Sequence, residues 1–493
     1  MKDYDERSPK SIEAYAKKLI GLTFQEVLDR DNAKDIENKK NRGDLGQLIE
    51  RHHFHYECNS DSNPDFSEAG VELKVTSYKI NQNKSISAKE RLVLTKINYY
   101  EIVREEGFEK SHLWNKSRLI LLIYYLYLKE VEKRFGYEIK YCKLYTPPEE
   151  DKIIIQQDYN YIVNKIKAGK AHELSEGDTM YLGACTKGVK ATDRVKQPYS
   201  TELAKPRAFS FKQSYMTYVL NHYVVADKDT YEAIANTEEL IEKSFEEIVK
   251  EKLEKYEGMY ESEIEKELGI EINRANKGYE GTLVCKMLGV KNNRVEEFEK
   301  AGILVKVLKY RQKKSLNQQF RLDDIVFKEL DKEKFDEEIR DEETKEAIGW
   351  EFSKVYDMLH NRKYLFVVFW EDEKGSKYKG CQIWGMPDKD IEKVREVWKR
   401  IKNIVRNGIE MWVDERGRVC NNLPGISDNG IFHIRPHASK TYYLFKDGTI
   451  HGNGKISDSD IIGLGREERI ARQAYWLNRS YIDQQINKNL RRV

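Results

Sequence analysis

Hydrophobic and polar positions alternate over Gly70–Val75, where Val71, Leu73 and Val75 interleave with Glu72 and Lys74. That period of two predicts a strand that turns Glu72 and Lys74 to the same face. Residues 11 to 30 have a different period. Ala14, Leu19, Ile20, Leu22, Phe24, Val27 and Leu28 recur at helical spacing and predict one or two amphipathic helices. Gln47–Arg51 reads as the start of a helix, with Glu50 near its polar side. Lys84 to Lys89 reads as a polar turn and Arg91–Leu94 as a further strand. The apolar run Leu119–Leu128 is a buried strand or helix, too short to span a bilayer. Pro147-Pro148 precedes a helix from about Asp151 to Ala168. A strand is expected around Tyr181–Ala184, ending in the loop Cys185-Thr186-Lys187-Gly188. A helix, Tyr215 to Val225, closes this first unit, and residues 226 to 270 are charge-rich helical sequence.

The second half of the chain repeats the first. Asn41-Arg42-Gly43-x-x-Gly46-x-Leu48-Ile49 returns as Asn276-Lys277-Gly278-x-x-Gly281-x-Leu283-Val284. Asp65–Val75 returns as Glu297–Val307, and Lys84-Ser85-Ile86 with Arg91-Leu92 as Lys314-Ser315-Leu316 with Arg321-Leu322. Asn115-Lys116 returns as Asn361-Arg362 before Leu365–Val368, and Ala208–Phe211 with Ser214-Tyr215 as Ala474–Leu477 with Ser480-Tyr481. Each match is weak, but their common order indicates two copies of one fold. The boundaries follow: 1–225, a helical connector at 226–258, and 259–493. The copies differ where chemistry would lie. Glu50 becomes Cys285 and Glu72 becomes Leu304, which cannot ligate a hard cation. The first copy is therefore the active one, and the second keeps only Lys306 and an acid at 297.

With 493 residues, two or three domains are expected. A charged fraction of 34% and a net charge of +2 describe a charge-rich chain whose nucleic-acid contacts must come from local patches. One such patch is Lys187, Lys190, Arg194, Lys196, Lys205, Arg207 and Lys212. The six cysteines form no Cys-x-x-Cys pair, which argues against a zinc ribbon or a disulfide framework. The His52-His53-Phe54-His55 cluster lacks zinc spacing and reads as a helix end. With no signal peptide and no spanning segment, a cytoplasmic location is expected. Asp65, Glu72 and Lys74 together form Asp-x6-Glu-x-Lys: two carboxylates beside an ammonium, able to hold a divalent cation and orient a water toward phosphorus. The same spacing also arises in a solvated edge strand with a surface salt bridge.

Gly-x-x-Gly-Gln-Leu-Ile-Glu50, Asp65-x6-Glu72-x-Lys74 and Lys116 together resemble the MutH family of GATC-directed endonucleases, and the similarity covers most of residues 15 to 225. The two-domain layout looks like the staphylococcal kind of type II restriction enzyme, which pairs a catalytic domain with a dead copy and cuts before the G of GATC. The resemblance implies an α/β architecture of two tandem MutH-like domains with the PD-(D/E)xK restriction-endonuclease-like fold, each a mixed central sheet flanked by helices. It implies that Asp65 and Glu72 ligate Mg²⁺, that Lys74 positions or helps deprotonate the water, and that Glu50 completes the acidic cluster. Lys116 would approach the scissile phosphate, and the product would carry a 5′-phosphate. DNA would be read or held by Thr186, Lys187, Lys190, Arg207, Ser210 and Lys212. Here Cys185-Thr186 replaces the family's Arg-Pro and Ser210 its Tyr, so the base contacts need not carry over. The second copy's Ile434-Arg435-Pro436-His437 is closer to the family's reading loop. Arg435, His437, Asn478 and Arg479 would therefore bind a second GATC copy without cutting it, as an effector domain. Partners implied are double-stranded GATC DNA, a second DNA site, and no membrane, for a monomer in solution that dimerises on DNA or nicks twice. The competing readings are a mismatch-repair nickase and a non-catalytic DNA-binding protein.

Overall fold

The structure is a computed structural model. It describes the chain except residues 1–2, 32–43, 57–62, 82, 129, 132, 188–192, 227–229, 277, 312–314, 317–319, 334–348, 438–439, 464 and 492–493. Lys190, Cys58, Lys277 and Lys314 thus lie outside the described residues, as does all of Asn41-Arg42-Gly43.

The chain forms two compact units. The first takes Met1–Val249 and Leu288–Ile303; the second takes Lys250–Met287, Leu304–Asp341 and Lys345–Val493. In the first, a four-stranded sheet has the order β2-β1-β4-β5, with β1 at Glu72–Ile80, β2 at Ile86–Ala88, β4 at Ile120–Leu126 and β5 at Ile139–Tyr145. A three-stranded sheet has the order β3-β7-β6, from Leu92–Ile97, Arg207–Phe211 and Leu182–Thr186. β1 runs parallel to β4, placing Glu72 opposite Ile120 and Lys74 opposite Leu122. Five consecutive residues of β4, Ile120 to Tyr124, are fully buried. That is the signature of a central strand covered on both faces, and it resolves the apolar run as strand. The expected polar turn at 84–89 contains β2, because Ile86 and Ala88 pair with β1 as a hairpin.

Helices cover the larger sheet. Pro9–Ala16 and Phe24–Arg30 bury Ile12, Ala16, Phe24, Val27 and Leu28. The second is fixed at its start by a reciprocal cap between Thr23 and Glu26. Glu149–Lys167 packs instead on the smaller sheet, against β6, with Tyr159 on Phe209 of β7, and buries Ile154, Ile155, Ile162 and Ile166 along one stripe.

The second unit has the same connectivity. Strands β8 (Ile303–Arg311), β9 (Ser315–Leu316), β11 (Lys363–Asp372) and β12 (Gly375–Gly385) form the order β9-β8-β11-β12. Strands β10 (Phe320–Asp324), β15 (Phe432–Pro436) and β20 (Gln473–Leu477) form β10-β20-β15. Element for element this is the first unit's pattern, so the duplication extends to topology. The additions are a hairpin of β13 (Met411–Val413) with β14 (Val419–Asn421), and a sheet of β16 (Tyr442–Leu444), β17 (Ile450–Gly452), β18 (Ser459–Ile461) and β19 (Arg469–Ala471).

One expectation changes. Residues 288–303 belong to the first unit, not to a second domain starting at 259. The helix Glu296–Ala301 is held there by charge. Lys300 Nζ lies 2.6 Å from both Asp151 Oδ1 and Glu296 Oε1, and Tyr215 Oη donates to Asp151 Oδ2 at 3.0 Å. Glu297, the counterpart of Asp65 by sequence, accepts from the backbone N–H groups of Ile234 and Ala235 at 3.0 Å. It is a structural anchor. Among the described residues no helix is long and apolar enough to cross a membrane.

Candidate active site

The first strand of the larger sheet in the first unit, β1, is preceded by a tight turn. Phe66 and Val71 bond to each other through both backbone groups, at 2.9 and 3.2 Å, and Gly70 closes the turn at φ +67°. A Cβ on Gly70 would fall 2.9 Å from the movable Arg118 guanidinium, so it is the backbone angle that demands glycine. The turn brings Asp65 back over the strand it precedes, where its Oδ2 accepts from the Leu73 N–H at 2.8 Å.

Glu72 opens β1 and is buried. Lys74, two residues on and on the same face, donates to its Oε1 at 2.6 Å. Lys116 Nζ lies 3.5 Å from the other oxygen, Oε2, which has no hydrogen-bond partner among the described residues. The helix His112–Ser117 delivers Lys116. Ser111 caps that helix by accepting from the Trp114 N–H at 3.0 Å, and Leu113, Trp114 and Ser117 are buried, which leaves Lys116 at the edge of the buried face, turned toward Glu72. Burial and the charge of Glu72 push the Asp65 carboxyl up to about 6, while Lys74 and the Leu73 N–H pull the other way.

Glu50 sits in the helix Asp44–His52, whose Leu45, Leu48 and Ile49 are buried on one stripe. Its charge reaches Asp65, adding a small upward push. Among the described residues, however, no three His, Cys, Asp or Glu side chains converge closely enough to hold a metal ion. The expected three-acid cluster is therefore two acids, with Glu50 outside it. Two carboxylates still fit Mg²⁺, which binds through one or two of them and completes its shell with water and phosphate oxygens. The unbonded, buried Oε2 of Glu72 is the kind of hard donor such an ion takes. Sequence reading missed His112. Burial holds its imidazole below the usual histidine range, helped by Lys116, and it also feels the charge of Glu72. Its four-residue spacing from Lys116 on one helix was the available signal.

The basic stretch 187–212 divides in two. Thr186, Lys187, Arg194 and Lys196 are exposed, and the Lys187 N–H donates to Pro206 O at 2.8 Å, which fixes the root of the loop. Arg207 and Lys212 are buried. Arg207 donates to the carbonyls of Ala184 and Leu174; Lys212 donates to those of Glu176, at 2.6 Å, and Thr179. Lys212 also neutralises Asp158, which accepts three backbone N–H groups from Met180 to Leu182. Ser210 is fully buried on β7, the middle strand of its sheet. The structure thus places Arg207, Ser210 and Lys212 in the interior, where strand pairing and carbonyl contacts engage them, and not at a DNA surface.

In the second unit Arg435 is exposed, with its guanidinium 5.1 Å from the centre of the Trp476 ring. Arg479 is exposed at the start of the helix Arg479–Gln485. His437 Nδ1 lies 3.1 Å from Asp324. Asn478 is buried, its amide donating to Ile426 O at 2.8 Å and its oxygen facing His433, so it fastens a strand end and does not face outward.

The family model described as "DNA mismatch repair enzyme MutH" matches residues 54–158, the segment that holds Asp65, Glu72, Lys74 and Lys116. Over 494 aligned residues the chain is 33% identical to the type II restriction enzyme Sau3AI of Staphylococcus aureus, covering 96% of each chain. It is 26% identical to the DNA mismatch repair protein MutH of Vibrio parahaemolyticus over 42% of this chain and 90% of that one. MutH of Shewanella woodyi is 27% identical over 43% and 93%.

Proposed function

The chain belongs to the family of MutH-related type II restriction endonucleases that includes Sau3AI, and from that premise we propose that it hydrolyses double-stranded DNA at GATC with Mg²⁺, leaving 5′-phosphates. The observation that carries this is the buried Glu72 carboxylate, one oxygen clamped by Lys74 and the other unbonded beside Lys116, with Asp65 folded over the same strand.

Asp65 and Glu72 would hold the metal. When bound, it supplies positive charge to the phosphate and lowers the pKa of water. The chain's own groups do the rest. Lys74, fixed by Glu72, holds an attacking water by hydrogen bond and orients it toward phosphorus. Lys116 faces the phosphate and stabilises the extra charge that develops on its oxygens as the bond to the leaving oxygen breaks. Exposed Lys187 and Thr186 are positioned to meet the DNA, with Lys187 suited to donate to guanine or to a phosphate.

The second unit, with Leu304 in place of Glu72, would bind a further GATC copy through Arg435 and Arg479 and act as an effector. A palindrome presents two scissile bonds to one active centre per chain, so a double-strand cut requires two chains or two successive nicks. Digestion of unmethylated phage DNA with purified protein and Mg²⁺, followed by end sequencing, tests the reaction. Fragments beginning with GATC are expected; no cleavage, or nicks alone, would overturn it.

A further inference from the structure

In the second unit, Lys306 occupies the position of Lys74, two residues after Leu304 on β8. Its surroundings are inverted. Leu304 is 42% exposed where Glu72 is buried, so the acid that clamps Lys74 has been replaced by an open apolar position. The other acid of the motif, Glu297, is committed to the Ile234 and Ala235 N–H groups. Among the described residues, Lys306 has neither a hydrogen bond nor a carboxylate at ion-pair distance. Around it are the Phe320 ring, 5.3 Å from the ammonium, and the charges of Arg321, Arg362 and Asp323. Arg362 stands where the first unit has Lys116, and it is held rigidly, with both its terminal nitrogens on Asp323 at 2.7 and 2.8 Å. Arg321 pairs with Asp324.

The physical consequence follows from charge. Burial and the two guanidinium groups hold the Lys306 ammonium below the usual lysine range, against an opposing pull from Asp323, whose two oxygens are already engaged by Arg362. A half-buried cation without an ion-pair partner is costly, and one such cation beside two guanidinium groups held in place by Asp323 and Asp324 is a place for an anion. In the first unit, carboxylates at this place repel a phosphate until a metal ion intervenes. In the second, Lys306, Arg321 and Arg362 outnumber Asp323 and Asp324, and the excess of positive charge meets it directly.

We propose that the degenerate centre of the second unit is a metal-independent phosphate-binding site, in which Lys306 and Arg362, with Arg321 beside them, hold a backbone phosphate of DNA. This rests on the reading that the second unit binds DNA, and deepens it by naming where the backbone is gripped.

The test uses the full chain carrying Asp65→Asn to prevent cutting, titrated in EDTA with a fluorescent GATC duplex over a range of salt. Two duplexes per chain are expected. Lys306→Gln should weaken uptake of the second about tenfold and lower its salt slope by about one, the loss of a single phosphate contact. Lys306→Arg should retain it. Leu304→Glu, at an exposed position that tolerates a charge, restores the clamping acid and should weaken the second event at least as much. If both Lys306→Gln and Leu304→Glu bind the second duplex normally, the phosphate site is wrong while DNA binding by the second unit stands. If the parent chain takes only one duplex, the reading beneath it fails too.

Discussion

Lys74 and Glu72 lie on one face of β1 with the ammonium 2.6 Å from the carboxylate, so the acid that would hold a metal also aims the lysine that would hold the water. The two functions cannot be removed separately. Lys74→Ala and Glu72→Gln should each lower the cleavage rate by at least about a thousandfold while leaving DNA affinity within a few-fold. Single-turnover cleavage alongside binding in EDTA measures both. A variant losing affinity and rate in equal measure would mean that Lys74 binds DNA and does no chemistry.

Asp65 carries the pH dependence. With its carboxyl pushed up to about 6, it is largely protonated below that pH and must lose a proton to ligate a cation. Affinity for Mg²⁺, measured by calorimetric titration, should fall about tenfold per pH unit below 6 and level off above about 7. The same shift acts on stability with the opposite sense. The folded state binds this proton more tightly than the unfolded chain, so the contribution present at low pH is lost as pH rises from about 4 through 6. Metal affinity that is constant from pH 5 to 8 would remove Asp65 from the ligand set.

Lys187 and Lys212 stand for the two halves of the basic stretch and should behave oppositely. Lys187→Ala should leave unfolding unchanged and lower the salt slope of DNA binding by about one. Lys212→Met leaves Asp158 buried without its cation and should destabilise the first unit by about 3 kcal/mol, with the salt slope of the folded protein unchanged. Urea unfolding and fluorescence anisotropy separate the two outcomes. A reduced salt slope for Lys212→Met would return that residue to the DNA surface.

Arg435 tests the effector reading. Its guanidinium is exposed and oriented by Trp476. Arg435→Ala should bring the ratio of two-site to one-site cleavage rates toward one. An unchanged ratio would leave the second unit a scaffold.

What the sequence made legible was what periodicity and motif spacing encode. Glu72 and Lys74 share a face because strands have a period of two, and the matching sheet orders of the two units were implicit in the internal repeat. What it hid were roles set by tertiary partners. Arg207, Lys212 and Arg194 are alike as letters in a basic run, yet two are buried on carbonyls and one is exposed. Glu297 aligns with Asp65, but a helix replaces the turn, and its carboxylate goes to backbone N–H groups contributed by residues more than sixty positions earlier. Polarity alone does not encode such a destination.

The excursion of residues 288–303 has a genetic consequence. Lys300 neutralises Asp151 inside the nuclease unit, so a gene cut back to its first half would encode a nuclease with a buried, uncompensated acid. The second half, with Leu304 where the first has Glu72, cannot then be shed by simple deletion. It is tied to the first as covalent ballast, which gives its surfaces time to acquire duties of their own.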